Sequence, residues 1–177
     1  MSLPSLPAVD ALPGDALGAG PDEGVAAGAV VLRLGASRYA VDMADVAEVA
    51  QLPRVTRVPR SAAWLLGVAN WRGRVLPVLD LRPLLATDPT PLASSARVVV
   101  LAREDVVVGV VAEAVPGVYS GDLTDPLPAP PTLTGEAAAL VTGQVSDRTG
   151  PLAVLDAAAV LALRDRVDRR RGGTGPA

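Results

Sequence analysis

Side chains able to do covalent or proton chemistry are few and scattered in this sequence. Carboxylates stand at Asp42, Asp45, Glu48, Asp80, Glu113 and Asp156. An acid/base pair needs two of them converging on a cleft. Asp80 and Asp156 instead precede short helical patterns, where an aspartate accepts from the free N–H groups of a first turn. In Val46-Ala47-Glu48-Val49, Glu48 reads as lying on the strand face opposite the two valines, a solvated outer face. Beyond the first twenty-eight residues, serines occur at 37, 61, 94, 95, 120 and 146, but no His is present to activate them and no GxSxG elbow occurs. There is no Cys, hence no thiolate metal site and no disulfide framework. All 16 basic residues are Arg, which excludes Schiff-base chemistry and a phosphate-loop lysine. What remains is recognition chemistry, and it concentrates in Trp71-Arg72-Gly73-Arg74.

A turn that only reversed the chain would more often use Asn-Gly or Asp-Gly. In an Arg72-Gly73 turn, Gly73 supplies the positive φ, Arg72 projects from the tip and Trp71 sits at the strand end. Arg and Trp are the side chains most enriched in binding hot spots. Trp64 is the second of only two Trp. An equally simple reading has both Trp plugging the ends of barrels, with Arg72 merely solvated.

The elements that must hold this turn are short and Val-rich. Ala29–Leu34 and Arg38–Asp42 are predicted strands around a tight turn at Gly35-Ala36-Ser37. Asp42 or Asp45 caps a single helical turn before a strand over Val46–Leu52. Val68–Trp71 and Val75–Leu79 form a second hairpin. Pro77 places its second strand at an edge or a bulge, because Pro cannot donate to a ladder. Asp80 caps a short helix over Leu81–Ala86, which Thr87-Asp88-Pro89 stops. Ala96–Ala102 with Val106–Val111, and Val141–Val145 with Leu152–Leu155, are two more hairpins. A Pro-rich loop over Gly121–Glu136 separates them. Asp156 caps a C-terminal helix reaching about Arg166.

The order repeats. A shift of 76 positions carries Gly67 to Gly143, Arg72 to Arg148, Leu76 to Leu152 and Val78-Leu79-Asp80 to Val154-Leu155-Asp156. A shift of 69 carries Val31-Leu32 to Val100-Leu101, Val46 to Val115 and Val49 to Val118. Two similar β-subdomains of roughly five strands each explain both shifts, and closed barrels would hide their edges.

Composition agrees. Of 177 residues, 50% are hydrophobic and 2% aromatic, which supports a compact Val/Leu/Ala core. A net charge of −3 and a pI near 4.9 give no footprint for nucleic acid. Mean hydropathy is +0.36, yet the most apolar region is broken by Arg103-Glu104-Asp105, short of the roughly 18 uninterrupted apolar residues of a membrane span. The first twenty residues carry no basic region and are broken by Pro and Gly, unlike a signal peptide. These features read as a cytoplasmic protein. Residues 1–28 are expected to be a disordered arm, 29–165 the folded domain, and 166–177 a frayed, flexible Arg-rich tail.

The string Gly67-Val68-x-Asn70-Trp71-Arg72-Gly73-x-Val75-x-Pro77-Val78-x-Asp80-Leu81-Arg82, with Val46-x-Glu48-Val49 and Val58-Pro59 upstream and Gly109–Val115 downstream, resembles the CheW-like domain of bacterial chemotaxis coupling proteins. The resemblance spans about Ala29 to Arg164. It implies a mainly β fold of two intertwined five-stranded Src-homology-3-like β-barrel subdomains, with short helices and a C-terminal helix. It implies no enzymatic activity and no cofactor. It implies two partners: the regulatory domain of a CheA-type histidine kinase, and a methyl-accepting chemoreceptor tip received in a groove between the subdomains. The chain would then sit at membrane-associated arrays through partners, without inserting itself. Arg72 and Glu48 fall on the family's functional Arg and Glu. Val46, Gly67 and Gly73 fall on positions that contact partners or shape the contact surface, and Val115 and Val118 on matching positions of the second half. Glu48 and Arg72 could pair with one another or each meet an opposite charge on a partner. The chain departs from the family pattern at Trp71 for the usual Leu, Glu113 for Asp, and Pro116 within a strand. Two other functions stay open: a same-fold adaptor in a non-flagellar pathway for pili or development, and a ligand-binding or enzymatic β-barrel.

Overall fold

Val, Leu and Ala runs of six or seven residues suit strands, since β-branched side chains pack well on a pleated surface. The computed structural model describes residues 28–88 and 90–172. Among these, ten strands form two five-stranded sheets. They are β1 (Ala29–Leu34), β2 (Ser37–Asp42), β3 (Val46–Gln51), β4 (Leu65–Trp71), β5 (Arg74–Leu79), β6 (Arg97–Arg103), β7 (Val106–Ala112), β8 (Ala114–Tyr119), β9 (Val141–Asp147) and β10 (Gly150–Leu155). Helix α1 covers Glu136–Leu140 and α2 covers Ala157–Gly172. No described helix is long and apolar enough to cross a membrane.

The strand orders are β8-β1-β2-β10-β9 and β3-β6-β7-β5-β4. Each sheet therefore joins the first hairpin of one half of the chain, β1–β2 or β6–β7, to the last three strands of the other. β3 pairs with β6, and β8 pairs with β1, both antiparallel. The registers obey the 69-residue shift: Val49 faces Val99 and Glu48 faces Val100, as Val118 faces Val30 and Gly117 faces Val31. Each sheet also holds one parallel pairing, β5 with β7 and β10 with β2.

Burial follows from this exchange. β1, β6 and β7 are covered on both faces, which is why they read as unbroken apolar runs. One face, with Val30, Leu32, Leu34, Val99, Leu101, Val108 and Val110, enters the large core shared by both sheets and α2. The other face splits into two small cores. Ala69, Leu76, Val78, Val100, Val107 and Val111 belong to one sheet; Ala29, Val31, Ala40, Val145, Leu152 and Val154 belong to the other.

Several expectations change. The 3-10 turn Met43–Asp45 is capped by Asp42, whose carboxylate accepts from Ala44 N–H at 2.9 Å; Asp45 instead binds Arg103. Pro77 is in an interior strand, not at an edge, and the bulge lies opposite Leu65–Gly67. It is tolerated because pairing to β7 begins only at Val78. Residues 81–86 form consecutive turns rather than a helix: Leu81 O accepts from both Leu84 and Leu85, and Ala86 turns left-handed at φ 51°. Pro116 is accommodated on the edge strand β8, where the register to β1 shifts. Trp64 plugs no barrel end; it is 6% exposed in the shared core, with the Arg166 guanidinium 5.4 Å from its ring centroid. Asp156 caps α2 by accepting from Ala159 N–H at 3.1 Å, and the helix runs past Arg166 to Gly172. Of the expected arm and tail, residues 1–27 and 173–177 lie outside the described residues.

The repeated glycines have a shared purpose. A short segment bridges the outer side of each terminal hairpin, Thr56 to Val68 and Leu127 to Gln144. A Cβ on Gly67 would sit 2.3 Å from the Thr56 carbonyl oxygen, and one on Gly143 would sit 2.4 Å from that of Leu127. Both crossings shield an edge strand. Gly143→Ala is expected to lower unfolding stability by about 1–3 kcal/mol, because neither backbone can move without breaking the bridge. Denaturant titration measures this, and an unchanged midpoint would show that the crossing does not pack on β9.

Candidate functional site

The β4–β5 turn places Arg72 at φ 51° and Gly73 at φ 76°. Both central residues are left-handed, as a two-residue hairpin with native twist requires. An L-residue there costs roughly 1–2 kcal/mol. Asn70 offsets part of that cost: its side-chain oxygen accepts from Gly73 N–H at 3.0 Å. A Cβ on Gly73 would meet nothing within 4 Å, so only its backbone angle asks for Gly.

Glu48 meets this turn from β3. Its Oε2 accepts from Trp71 Nε1 at 2.8 Å and from Arg72 at 3.1 Å. The Arg72 guanidinium carbon lies 4.9 Å from the Trp71 ring centroid. Glu48, Trp71 and Arg72 thus form a closed triangle. β3 and β4 are the two ends of their five-strand order, so the hydrogen bond between them shows that the sheet curls until its edges meet. The expectation for Glu48 is corrected here. Period-two alternation groups it with half-buried Val46, not opposite it, and Val49 is the exposed one at 41%. Glu48 is half-buried because indole and guanidinium cover it. Trp71 packs its ring against the small core of the same sheet, so it is both a plug and a polar contact.

The other predicted site residues are distributed. Gly67 lies within β4 beneath the Thr56 crossing. Val46 and Val115, repeat counterparts, both pack against the shared core. Val118 is 57% exposed on β8, in the other sheet. The structure therefore assembles Glu48, Trp71, Arg72 and Gly73, and leaves Val115 and Val118 on a second surface. The counterparts of Trp71-Arg72 are Asp147-Arg148, and Asp147 is ion-paired with Arg38. That guanidinium and Thr149 hold the Asp147 carboxyl well below the usual range. The two ends share a backbone and differ in chemistry.

A second cluster was hidden from sequence reasoning. Asp80 and Arg82 are buried, and Arg82 donates from Nε and an amino group to both Asp80 oxygens at 2.9 and 2.8 Å. Its other amino group reaches Glu113 at 2.8 Å and the Thr90 carbonyl at 2.6 Å. The Thr90 hydroxyl donates to Glu113 at 2.6 Å. Asp80 also caps the turn through Arg82 N–H at 3.1 Å. Two carboxylates do converge, but on the shared Arg82 guanidinium, with Arg33 4.0 Å from Glu113 as a second cation, which makes a structural clamp rather than an acid/base pair. The Asp80-Leu81-Arg82 spacing, opposite charges flanking a buried Leu, was the available signal. Among the described residues no group of three or more His, Cys, Asp or Glu is placed to hold a metal.

The CheW-like domain family matches residues 28–165, and the chain belongs to that family. Its members are non-catalytic scaffolds. The chain is 40% identical over 85 residues to Protein PilI of Pseudomonas aeruginosa, covering 48% of either chain. It is 36% identical over 107 residues to Protein FrzA of Myxococcus xanthus, covering 60% of this chain and 66% of FrzA. It therefore spans about half the length of PilI and just under two thirds of FrzA. It is 26% identical over 132 residues to the chemotaxis protein CheW of Bacillus subtilis, covering 75% and 85%. The crystal structure of scaffolding protein TtCheW from Thermoanaerobacter tengcongensis shares the fold, with TM-score 0.67, 22% identity, and coverage of 78% and 90%.

Two outcomes follow from the buried clamp. Arg82→Leu leaves buried Asp80 without a counter-ion and Glu113 with only Arg33 at 4.0 Å, and should cost about 3–5 kcal/mol, read by chemical denaturation. Glu113 has its carboxyl held below the ordinary range, chiefly by the Thr90 hydroxyl and then by Arg82. A depressed folded-state value gives stability that is present above the unfolded value and lost as pH falls through the folded one. Glu113→Gln should accordingly flatten the loss of stability on the acid side of the ordinary glutamate range. An acid limb identical to wild type would mean that Glu113 titrates alike in both states.

Proposed function

We propose that this chain is an adaptor that couples a methyl-accepting chemoreceptor tip to the regulatory domain of a CheA-type histidine kinase. The observation that carries this reading is the Glu48–Trp71–Arg72 triangle on a strained turn, within a domain of the CheW-like family. An exposed ion pair adds only about 0–1 kcal/mol to folding, and a cation–π contact at the surface about 0.5–1 kcal/mol. The strain at Arg72 is therefore better accounted for by recognition than by stability. Exposed Val49 beside Glu48 and Val75 beside Arg74 supply apolar area next to the polar pair. Val115 and Val118 would form a second contact on the opposite sheet, while Val46, Gly67 and Gly73, on the sheet of the triangle, have the supporting or contacting roles that the family pattern implies. The adaptor would work in the cytoplasm, at arrays reached through its partners.

The pathway has a second reading with its own support. PilI and FrzA are 40% and 36% identical to this chain, while the CheW of Bacillus subtilis is 26% identical. This favours a chemosensory pathway for pili or development over flagellar chemotaxis. Deleting the gene should then impair surface motility or development and spare swimming; the reverse phenotype would select the flagellar pathway.

Calorimetry against the organism's own kinase regulatory domain and a receptor-tip fragment tests the coupling. Arg72→Ala and Glu48→Ala should each weaken one partner about tenfold or more while circular dichroism stays native. Wild-type protein that binds neither partner would remove the coupling role and leave the fold.

A further inference from the structure

Trp71 Nε1 and one Arg72 amino group both end on Oε2 of Glu48. Among the described residues, none donates to Glu48 Oε1, and none accepts from the remaining N–H groups of Arg72. Arg72 is 68% exposed and Glu48 33%, so those unspent groups face outward together. Trp71 decides which groups are spent. Its indole is a donor only, and it already occupies one carboxylate oxygen. The Arg72 guanidinium lies over its ring, 4.9 Å from the centroid, and reaches the same oxygen with one amino group only. A Phe or Leu at 71 offers no N–H, and Glu48 would be free to take Arg72 with both oxygens.

We infer that Trp71 is a specificity-determining residue that holds Glu48 and Arg72 as a preset, electrically neutral acceptor–donor pair, and that this pair fits the carboxamide of an Asn or Gln on the partner. The amide oxygen accepts from Arg72 while the amide NH2 donates to Glu48 Oε1. A lone carboxylate on the partner would satisfy Arg72 and face Glu48 Oε1 with like charge; a lone cation would meet the reverse conflict. This rests on the adaptor reading above and adds the chemistry of the contact.

Calorimetry of the full chain against the kinase regulatory domain and the receptor-tip fragment, at salt from about 0.05 M to about 0.5 M, separates the cases. Wild-type affinity should change less than about threefold over that range, since a neutral pair gains little from unscreened attraction. Trp71→Phe keeps the ring and deletes the N–H. It should weaken the same partner as Arg72→Ala by about tenfold with a near-native melting temperature. Glu48→Gln, which keeps the size and deletes the charge, should weaken that partner comparably and serves if the Phe variant is unstable. Wild-type-like binding by Trp71→Phe and Glu48→Gln would overturn the inference alone. Affinity that falls tenfold or more with salt, and depends on Arg72 only, would overturn it in favour of an anionic contact. Wild-type protein that binds neither partner would overturn the adaptor reading and this inference with it.

Discussion

Each five-stranded sheet is built from both halves of the chain, the first two strands of one and the last three of the other. β3 leaves its own hairpin and pairs with β6, and β8 leaves its own and pairs with β1. Neither half can satisfy its edge alone, so the two sheets form together or not at all. The exchange also buries β1, β6 and β7 on both faces and brings the large core between the sheets. Placement of the Trp71-Arg72 turn descends from this constraint. Glu48 reaches Trp71 because β3 opens the sheet order, β4 ends it, and the inserted β6–β7 hairpin lets the sheet curl between them.

The Asp80–Arg82–Glu113 clamp belongs to the same logic. Glu113 stands where the chain passes from β7 in one sheet to β8 in the other, and Glu113 N–H donates to the Arg33 carbonyl on β1. Arg82 stands just after β5. The clamp therefore fastens the exchange point to the end of the hairpin that carries the surface triangle. Burying such charges gives little net stability even when they are well paired. Their effect is to admit one arrangement of the crossover, because any displaced carboxylate would be left uncompensated.

The two ends of the molecule show how a repeat diverges. Backbone registers are shared, and so are the close approaches at Gly67 and Gly143. Side chains at the turn tips are not: Trp71-Arg72 in one half stands against Asp147-Arg148 in the other. In the first, the acid comes from the edge strand and the aromatic from the turn. In the second, the acid is on the turn and is neutralised by Arg38 of the neighbouring β2. A duplicated frame can thus present two unlike surfaces.

Strands, turns and caps were legible in the sequence because each depends on residues close in the chain. The hairpins at residues 29–42, 65–79, 97–112 and 141–155 follow from Val-rich runs and turn residues, and Asp42 and Asp156 cap as their positions predict. The repeat was legible too, since Gly, Asp and Leu at fixed spacing record a shared backbone. Other features were not legible. Sequence could not show that Arg82 and Asp80 are buried together with Glu113, or that Trp64 goes to the core while Trp71 goes to the rim and meets Glu48. Those outcomes rest on contacts between residues 23 to 31 positions apart or more, and on which strand becomes the edge. Local pattern determined the pieces and the Trp71-Arg72-Gly73-Arg74 turn. Only the insertion of the β6–β7 hairpin between β3 and β5 decided which side chains meet there, because curling a sheet brings its first and last strands together without leaving a trace in the order of the residues.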